Sequence, residues 1–527
     1  MSEVDQLFER YGAGYKWLAT ATVMLGTLSM VMATTIINVA IPEIRGTFGL
    51  GQDQVQWLST GYLAAMTATM LANAWCVEAL GQRRTYMTAM MIFVFCSFLG
   101  GLSPNAELLT LARVGQGAMA GIIQPLAAIT IFQVFPPNER GRGMGIYGLG
   151  VILGPAIGPT LGGVLVDLFN WRAVFFLAPP FCVLGFLMAT AFMPRRMSED
   201  PPPRFDFFGF GLLCAALVMI LWGLSNGPRH GWDSVAVEAA LAGGVLSGFG
   251  FVLRSLLADH PVLNLRVFTN PGFLSGSLVA FLLGAGLFGS TYLVPVFVQE
   301  LLGYTATQSG LVLMPAGLAM AAVFPPVGHL TDRVMPQRLV MLGLALFAFS
   351  SALLAGVDMN TAFWTLAIWI LIGRVGLGLI LPPVTAGSLD LLPGGLLPHG
   401  SGAINFSRQL GGAFGVNLLA IFLDERTRVH TRELIQAQTP GTPAAREATS
   451  ELLKVLERAG VPDVHLGPGA LHVIGRGIHG QGYVMGFQDS FMLLAAVFVL
   501  ALVPALVMGR YVRRHRHEGQ PYAAVSE

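Results

Sequence analysis

Three arginines, Arg113, Arg374 and Arg408, lie in the middle of long uncharged stretches of this sequence. A guanidinium in hydrocarbon costs about 2.5–3.5 kcal/mol on insertion scales, and its five N–H donors stay charged. Such a group holds helix carbonyls, a carboxylate or an anionic ligand. The same stretches carry no Asp, Glu or His at mid-depth. Buried cations without a buried anion are incomplete alone, and they would repel a cationic molecule.

These arginines belong to stretches with the composition and length of membrane spans. Hydrophobic residues make up 54% of the 527 residues and charged residues 11%, against roughly 45–50% and about 25% in soluble domains. Fourteen uncharged runs of ~20 residues can each cross ~30 Å of hydrocarbon. They fall at about 17–41, 55–77, 84–103, 107–131, 141–166, 171–193, 206–226, 235–257, 272–298, 306–328, 337–356, 361–384, 402–424 and 489–512. The predicted fold is all-α and membrane-integral, with 14 transmembrane helices.

Lys and Arg are distributed unevenly between the two sides of these spans. The N-terminus, the loops after even-numbered spans and the tail "GRYVRRHRH" hold about seventeen. The short loops of the other side hold Arg45, Arg172 and Arg229. The positive-inside rule therefore predicts that both termini are cytoplasmic and that the long segment 425–488 faces outward.

Three motifs recur in order at intervals of about 255–260 residues. "LARVGQG" with Arg113 is echoed by "IGRVGLG" with Arg374, and "AWCVEALGQRR" with Glu78 by "GHLTDRVMPQR" with Asp332. "GPAIGPTLGG" is echoed by "RQLGGAFG". This predicts two six-helix halves, 1–196 and 267–527, with two inserted helices in 197–266. Parallel six-helix repeats are an alternating-access transporter architecture, with substrate bound near the midplane between them.

Small polar residues predict which helix lines the path. In "VMATTIINVAIP", Thr34 and Asn38 are four residues apart and share one helix face. Thr and Asn on a membrane helix bond to neighbouring helices or to a polar cavity. The predicted substrate or proton path consists of Arg113, Gln116, Thr34, Asn38, Arg374, Asn405 and Arg408.

The motifs together resemble the major facilitator superfamily, and within it the fourteen-helix drug:proton antiporters of the EmrB and QacA type. The likeness runs from "TTIINVAIP" through "RVGQG" and "GVILGPAIGPTLGG" to "GAINFSRQLGGAFG". It implies the major facilitator fold and proton-coupled secondary active export of amphipathic small molecules. It also implies that Arg113 faces the translocation path and is linked to proton movement.

"GVILGPAIGPTLGG" is the antiporter motif of that resemblance, which implies that it seals the interface between the halves against leak. Its glycines are four apart, so they share one face and let a neighbouring backbone approach. Its prolines remove amide donors and bend the helix. The motif residues are Gly150, Gly154, Pro155, Gly158, Pro159 and Gly162.

The two cytoplasmic hinge motifs are expected to close an inner gate. In the resembled family an acid can sit at a neighbouring helix N-terminus, which favours negative charge, and basic residues bind the facing loop. In the first copy Glu78 replaces Asp and Ala79 replaces Arg, whereas the second copy is intact. The expected gating residues are Glu78, Arg83, Asp332, Arg333 and Arg338.

One departure from the family bears on cargo and coupling. Similar antiporters have an Asp before "TTI", implicated in proton coupling or cation recognition, and this chain has Ala33. Either the cargo is anionic or neutral, such as a fatty acid, phenolic acid or acidic lipid, or carbonyls and waters satisfy the arginines while terminal acids such as Asp206 or Asp390 reach in. The coupling proton would ride on the cargo or on an end-of-helix carboxylate.

Other classes of function fit less well. An ATP-driven pump is excluded as a single chain, because neither Lys16 nor Lys454 lies in a G-x-x-x-x-G-K-[ST] loop. A membrane enzyme would need convergent acids, histidines or a nucleophile at depth. We predict membrane lipid and a small-molecule cargo as partners, with no enzyme activity, cofactor, metal site or nucleic acid. A lipid or organic-acid exporter, an uncoupled facilitator and a sensor or scaffold are the alternatives.

The outward segment 425–488 contains a predicted amphipathic helix in "PAAREATSELLKVLERAG". Related exporters of two-membrane bacteria dock a periplasmic adaptor that leads to an outer-membrane channel. This segment is therefore a candidate binding site for such an adaptor. The predicted location of the protein is the bacterial inner membrane. The Gly-rich stretch with His465, His472 and His479 is predicted to be a flexible loop.

Overall fold

The structure is a computed structural model that describes residues 3–50, 52–195, 204–304, 306–437, 443–459 and 463–518. Over these ranges the chain is helical, with short 3₁₀ turns and no β-strand. The first helices are α1 (Glu3–Tyr11), α2 (Tyr15–Phe48), α3 (Gln52–Leu80), α4 (Gln82–Gly101), α5 (Ala106–Val134), α6 (Arg140–Leu168), α7 (Pro179–Phe192), α8 (Phe207–His230) and α9 (Val235–Leu257). They are followed by α10 (Pro271–Glu300), α11 (Ala306–Arg333), α12 (Pro336–Leu354), α13 (Phe363–Leu389), α14 (Leu397–Ala437), α15 (Pro443–Arg458), α16 (Asp463–Leu500) and α17 (Leu502–Glu518).

Thirteen helical stretches of the described chain are long and apolar enough to cross a membrane. They cover every predicted span except the fifth, 141–166, which falls on α6. Helix α6 has 29 residues, enough to cross ~30 Å of hydrocarbon, but the side chains of residues 155, 156, 159 and 160 within it lie outside the described part. The all-α membrane fold is thus confirmed, and thirteen of the fourteen spans with it.

The helices group around two bundles. We call α2–α7 the first half, α10–α14 with α16 and α17 the second half, and α8 with α9 the inserted pair. In the first half α2 packs on α6 and α3 on α5, whereas in the second half α10 packs on α14 and α13 on α11 and α12. The inserted helices pack on each other, and α8 also contacts α3 and α14. The halves meet mainly where α6 packs on α11 and α3 on α14.

The outward segment is far more helical than a loop. Helix α14 has 41 residues and α16 has 38, so both continue well past the predicted span ends at 424 and 489. The amphipathic helix is present as α15 and packs on α16. The prediction of a flexible Gly-rich loop was wrong, because His472 and His479 lie in α16. Glycine weakens a helix by about 1 kcal/mol per residue, but here packing on α14 and α15 outweighs that cost. The side chain of His465 lies outside the described residues.

Candidate transport site

Arg113 is enclosed within the first half, where its side chain is 1% exposed. Helix α5 approaches α3 so closely that a Cβ added at Gly117 would clash with the Tyr62 carbonyl oxygen. This close approach places the Arg113 guanidinium next to the backbones of α2 and α3. Its Nε donates to the Leu58 carbonyl at 3.1 Å and its Nη1 to the Ala33 carbonyl at 3.1 Å.

A network of neutral groups surrounds this guanidinium. Arg113 Nη1 also donates to Gln116 Oε1 at 2.9 Å, and Gln116 Nε2 donates to Ser97 Oγ at 2.8 Å. The guanidinium carbon lies 4.3 Å from the centre of the Tyr62 ring, which offers a cation–π contact. No carboxylate pairs with Arg113 among the described residues. Both side chains are buried between helices of one half, and their role in a substrate or proton path stays a prediction.

Arg374 occupies the corresponding place in the second half. It is 9% exposed, and its Nη2 donates to Thr291 Oγ1 of α10 at 2.7 Å. Thr291 follows Ala33 by about the same 260 residues by which Arg374 follows Arg113. In both halves, therefore, the arginine of the fourth helix reaches the same level of the first helix. In the first half the arginine bonds to the backbone carbonyl of Ala33, whose side chain is a methyl group. In the second half it bonds to the hydroxyl of Thr291.

Arg408 differs from the other two because it lies between the halves. It is half-buried and lines a small cavity together with Asn405, Tyr147 of α6 and Phe324 of α11. Its Nη2 donates to Asn405 Oδ1 at 2.9 Å. Of the predicted path residues, Arg408 and Asn405 are the ones that line this inter-half cavity.

Two hydrogen bonds connect Asn405 of this cavity to the first half. Asn405 Nδ2 donates to the Ser401 carbonyl at 2.9 Å, and Ser401 Oγ donates to the Pro125 carbonyl at 2.8 Å. The second bond crosses from α14 to α5, where the acceptor is the backbone carbonyl of Pro125. Ser401 thus holds the arginine-bearing helix α14 against the first half.

The small polar residues of α2 contribute less than their pattern predicts. Thr34 Oγ1 donates to the Met30 carbonyl of its own helix at 3.0 Å. Asn38 is exposed, and its Oδ1 accepts a hydrogen bond from Ser59 Oγ of α3 at 3.2 Å. Asn38 therefore offers an exposed polar group, whereas Thr34 largely satisfies itself.

Asp332 joins α11 to the start of α6 across the boundary between the halves. Its Oδ1 accepts from the Gly141 backbone N–H at 2.7 Å and its Oδ2 from the Arg142 backbone N–H at 2.9 Å. These are free donors of the first turn of α6, and the positive end of the helix dipole lies there. The carboxylate is thus the capping group of a helix in the opposite half.

Two further side-chain contacts, one of them an ion pair, bridge the halves near the same end. Arg140 Nη1 lies 2.6 Å from Asp390 Oδ1, and His399 Nε2 lies 3.3 Å from Glu78 Oε1. Glu78 therefore contacts a side chain at the start of α14, whereas Asp332 contacts backbone donors at the start of α6. Asp206, the other terminal acid considered, bonds to Arg254 Nε at 3.1 Å.

The arginines of the hinge motifs stay apart from these contacts. Arg333 and Arg338 are exposed, and neither side chain makes an ion pair within the part of the chain that the structure describes. Arg83 contributes a backbone N–H to the Pro194 carbonyl at 3.3 Å. The motif acids Glu78 and Asp332 thus contact the opposite half, while Arg333 and Arg338 remain at the surface.

The glycines of the antiporter motif pack within the first half. A Cβ added at Gly154 would stand 3.0 Å from Val31, and one at Gly158 would stand 2.7 Å from Thr35 Oγ1, so this face of α6 lies on α2. The same holds for the motif glycines Gly150, which meets Met24, and Gly162, which meets Ile36. These glycines therefore allow close approach to α2 of the same half, and their role in sealing the interface between the halves stays a prediction. Helix α6 runs through Pro155 and Pro159, whose side chains are outside the described residues.

A second glycine face of α6, which the sequence analysis missed, meets the other half. A Cβ added at Gly145 would lie 2.7 Å from the Phe324 carbonyl oxygen, and one at Gly141 would lie 2.6 Å from the Gly328 carbonyl oxygen. Gly148 packs against the Phe324 ring. The stretch "GRGMGIYGLG" carries this pattern four and three residues apart, which could have indicated a second packing face.

The fold, the buried arginines and the capped boundary between two helical bundles define a multi-pass membrane transporter. Residues 23–416 match the family described as Major Facilitator Superfamily, so the chain belongs to that superfamily and is a transporter, not an enzyme. It is 29% identical to the uncharacterized MFS-type transporter YhcA of Bacillus subtilis (strain 168), over 94% of this chain and 92% of the relative. It is 26% identical to the multidrug export protein EmrB of Haemophilus influenzae, over 92% and 94% respectively. The solved proton:xylose symporter XylE has the same fold, with a TM-score of 0.61 at 13% identity over 95% of this chain and 97% of that one.

Proposed function

We propose that this protein is a secondary active exporter of amphipathic small molecules that alternates access between its two halves. The names of its relatives, which include a multidrug export protein, support export. The excess of Lys and Arg in one set of loops supports a bacterial inner-membrane orientation with both termini cytoplasmic. The paired motifs support the division into repeats at 1–196 and 267–527, with the inserted pair between them.

The contacts between the halves support a state closed at the cytoplasmic end. Asp332, the Arg140–Asp390 pair and the Glu78–His399 pair all join helix ends on the side of the Arg-rich loops. Helix α11 is tight against α6 at Gly328, whereas a Cβ added at Gly317, further along α11, would meet nothing within 4 Å. Helices α6 and α11 are therefore in contact near Gly328, and there is open space beside α11 near Gly317, as an exporter that is open to the outside requires.

One observation carries the class of cargo: Arg408 stands between the halves with a neutral partner. Asn405 provides its hydrogen bond, and no salt bridge to Arg408 occurs among the described residues. A cationic cargo would approach an uncompensated cation in a low-dielectric site, which is unfavourable. An anionic or neutral amphipathic cargo could instead place an acceptor on Arg408 and its apolar part against Phe324 and Tyr147.

Proton coupling in this chain would differ from that of similar antiporters. Residue 33 is an alanine and cannot titrate, so the proton would travel on the carboxyl group of the cargo or on an acid at a helix end. Asp332 and Glu78 are such acids, and both lie at the boundary between the halves. Protonating either would weaken closure and so could link proton binding to the change of access.

The test is transport by purified protein in liposomes under an imposed pH gradient. We expect a lipophilic carboxylate to be transported, a lipophilic cation of similar size not to be, and a protonophore to abolish accumulation. Arg408→Gln should slow carboxylate transport at least about tenfold, as loss of one charge-assisted contact predicts. Arg458→Gln removes a surface charge in α15 and serves as the control. Transport of the cation alone would overturn the proposed cargo class, and uphill transport that survives the protonophore would overturn the coupling.

We further propose that the extended outward helices hold a periplasmic adaptor protein. Helices α14 and α16 run past the span ends, and α15 lies on α16. Val455, Leu471 and Val473 on α15 and α16 are exposed apolar side chains in this region. Deleting 443–458 should abolish efflux from intact two-membrane cells and leave transport in liposomes unchanged. Equal loss in both assays would assign the segment to transport itself.

A further inference from the structure

One nitrogen of Arg113 is left without a partner. The Nε and Nη1 donors meet the Leu58 carbonyl, the Ala33 carbonyl and the Gln116 amide oxygen, all of them neutral. The Nη2 atom is buried and has no hydrogen-bond partner among the described residues. A buried cation whose partners are all neutral lacks charge compensation, which costs several kcal/mol unless an anion supplies it.

A small cavity adjoins this guanidinium. Its polar lining comes from Arg113 and Gln116, and the rest of the wall is apolar, including the methyl group of Ala33 and the ring of Phe175. Its volume of about 10 Å³ is near the room that one water molecule needs. A ligand of this site is therefore small, close to a single atom in size.

The chemistry of the wall favours an anion over a water. A buried water makes two to four hydrogen bonds, as both donor and acceptor. The Ala33 carbonyl and Gln116 Oε1 each already accept one hydrogen bond from Arg113, so a water would have to use their second lone pairs, while Nη2 supplies free donors. A monovalent anion needs only donors and positive charge, and both are present.

The second half shows what the first half lacks. Arg374 meets the Thr291 hydroxyl at the level where Arg113 meets the backbone of Ala33. The side chain of residue 33 is a methyl group that lines the cavity. A carboxylate at position 33 would lie beside the guanidinium. The methyl group of Ala33 instead leaves this space empty and the positive charge of Arg113 uncompensated.

We propose that the cavity beside Arg113 binds a small monovalent anion, chloride in the cell, which supplies the negative charge that residue 33 does not. This site is separate from the proposed cargo site, because it lies within the first half whereas Arg408 lies between the halves. The bound anion lies between α2, α5 and the 3₁₀ turn Trp171–Phe176, which line the cavity. Folding stability and transport then depend on chloride.

The experiment measures thermal unfolding of the purified full-length protein while chloride replaces gluconate at constant ionic strength. We expect a saturable rise in Tm with chloride and with bromide, because ligands that bind only the folded state stabilise it by mass action. Ala33→Asp supplies the charge internally, so its halide affinity should fall at least about tenfold, equivalent to about 1.4 kcal/mol. Arg408→Gln, which leaves the cavity intact, should keep the wild-type dependence.

Crystals of the full-length protein grown in bromide test the location directly, even if Ala33→Asp does not fold. An anomalous peak within hydrogen-bond distance of Arg113 Nη2 supports the proposal. A Tm that is flat from chloride-free to saturating buffer, or a peak absent at Arg113, would mean that the cavity holds water only and would overturn it. A chloride dependence that disappears in Arg408→Gln would also overturn it, because the ion would then act between the halves.

Discussion

The carboxylate of Asp332 accepts the backbone N–H of Gly141 at 2.7 Å, so an acid of one half caps a helix of the other. The contact uses backbone donors, and it therefore needs no particular side chain on α6. It does need a small residue at the cap, because Gly141 lies against the Gly328 carbonyl. In the second hinge motif it is therefore the acid Asp332 that contacts the other half, while Arg333 and Arg338 remain at the surface.

Asp332→Asn should weaken closure of the cytoplasmic end. The amide keeps the shape but loses the charge that favours a helix N-terminus, a loss of about 1–2 kcal/mol for a partly buried cap. We expect transport to slow by about five- to thirtyfold, measured as initial rates in liposomes. Asp358→Asn is the control, since among the described residues the Asp358 carboxylate bonds within its own turn, to Asn360 and Thr361. Equal effects of the two variants would contradict the capping role.

Gly145→Ala should separate α6 from α11. The new methyl group would lie 2.7 Å from the Phe324 carbonyl oxygen and 2.8 Å from the Gly328 Cα, and neither backbone atom can move alone. We expect loss of transport with normal membrane insertion, read from transport rates and from the yield of folded protein. Gly317→Ala is matched to it, because that position faces open space, and it should transport normally.

The Glu78–His399 pair should contribute less than the Asp332 cap. Glu78 is 40% exposed, and exposed ion pairs contribute about 0.2–1 kcal/mol. A double-mutant cycle with Glu78→Gln and His399→Gln in the transport assay should give a coupling of less than about 1 kcal/mol. A larger coupling would make this pair, and not the Asp332 cap, the main contact of the closed end.

Thr291→Val should destabilise the second half without touching the interface. The change removes the hydroxyl that accepts from Arg374 Nη2 at 2.7 Å and keeps the shape of the side chain. Hydrogen bonds between membrane helices contribute about 0.6–2 kcal/mol, and we expect a lower Tm of that order. Thr47→Val, at an exposed position where the hydroxyl bonds to the Glu43 carbonyl of its own helix, is the control and should leave Tm unchanged.

The sequence was most informative where one physical constraint dominates. Length and lack of charge define a membrane span, so the all-α membrane class and the positions of thirteen spans followed from composition, whereas the major facilitator fold was implied by the resemblance of the motifs to that family. The interval between Arg113 and Arg374 likewise predicted corresponding places in two bundles, and the structure has both at the same level of the first helix of their half.

Features that depend on which neighbour covers a face were harder to predict. Glycines four apart indicate close packing, but they do not say whether α2 or α11 is the partner, and the antiporter motif met α2. Arg113 faces carbonyls of α2 and α3 because α5 tilts against α3 at Gly117, a contact that no single-helix pattern encodes. The helical course of the stretch around His472 depends on packing against α14 and α15, which outweighs its glycine content.

Helix α14 joins three places that are usually treated apart. Its first turn carries His399, which contacts Glu78; Arg408 lies nearer to this end than to the middle of the helix, and the far end is Ala437. With 41 residues it is about 60 Å long, twice the thickness of the hydrocarbon. A rod pivoting near Arg408 acts as a lever, so a tilt of a few degrees that releases His399 sweeps the outer tip sideways by several ångströms. If the proposed cargo binds at Arg408, this helix would couple the proposed cargo site mechanically to the proposed adaptor contact.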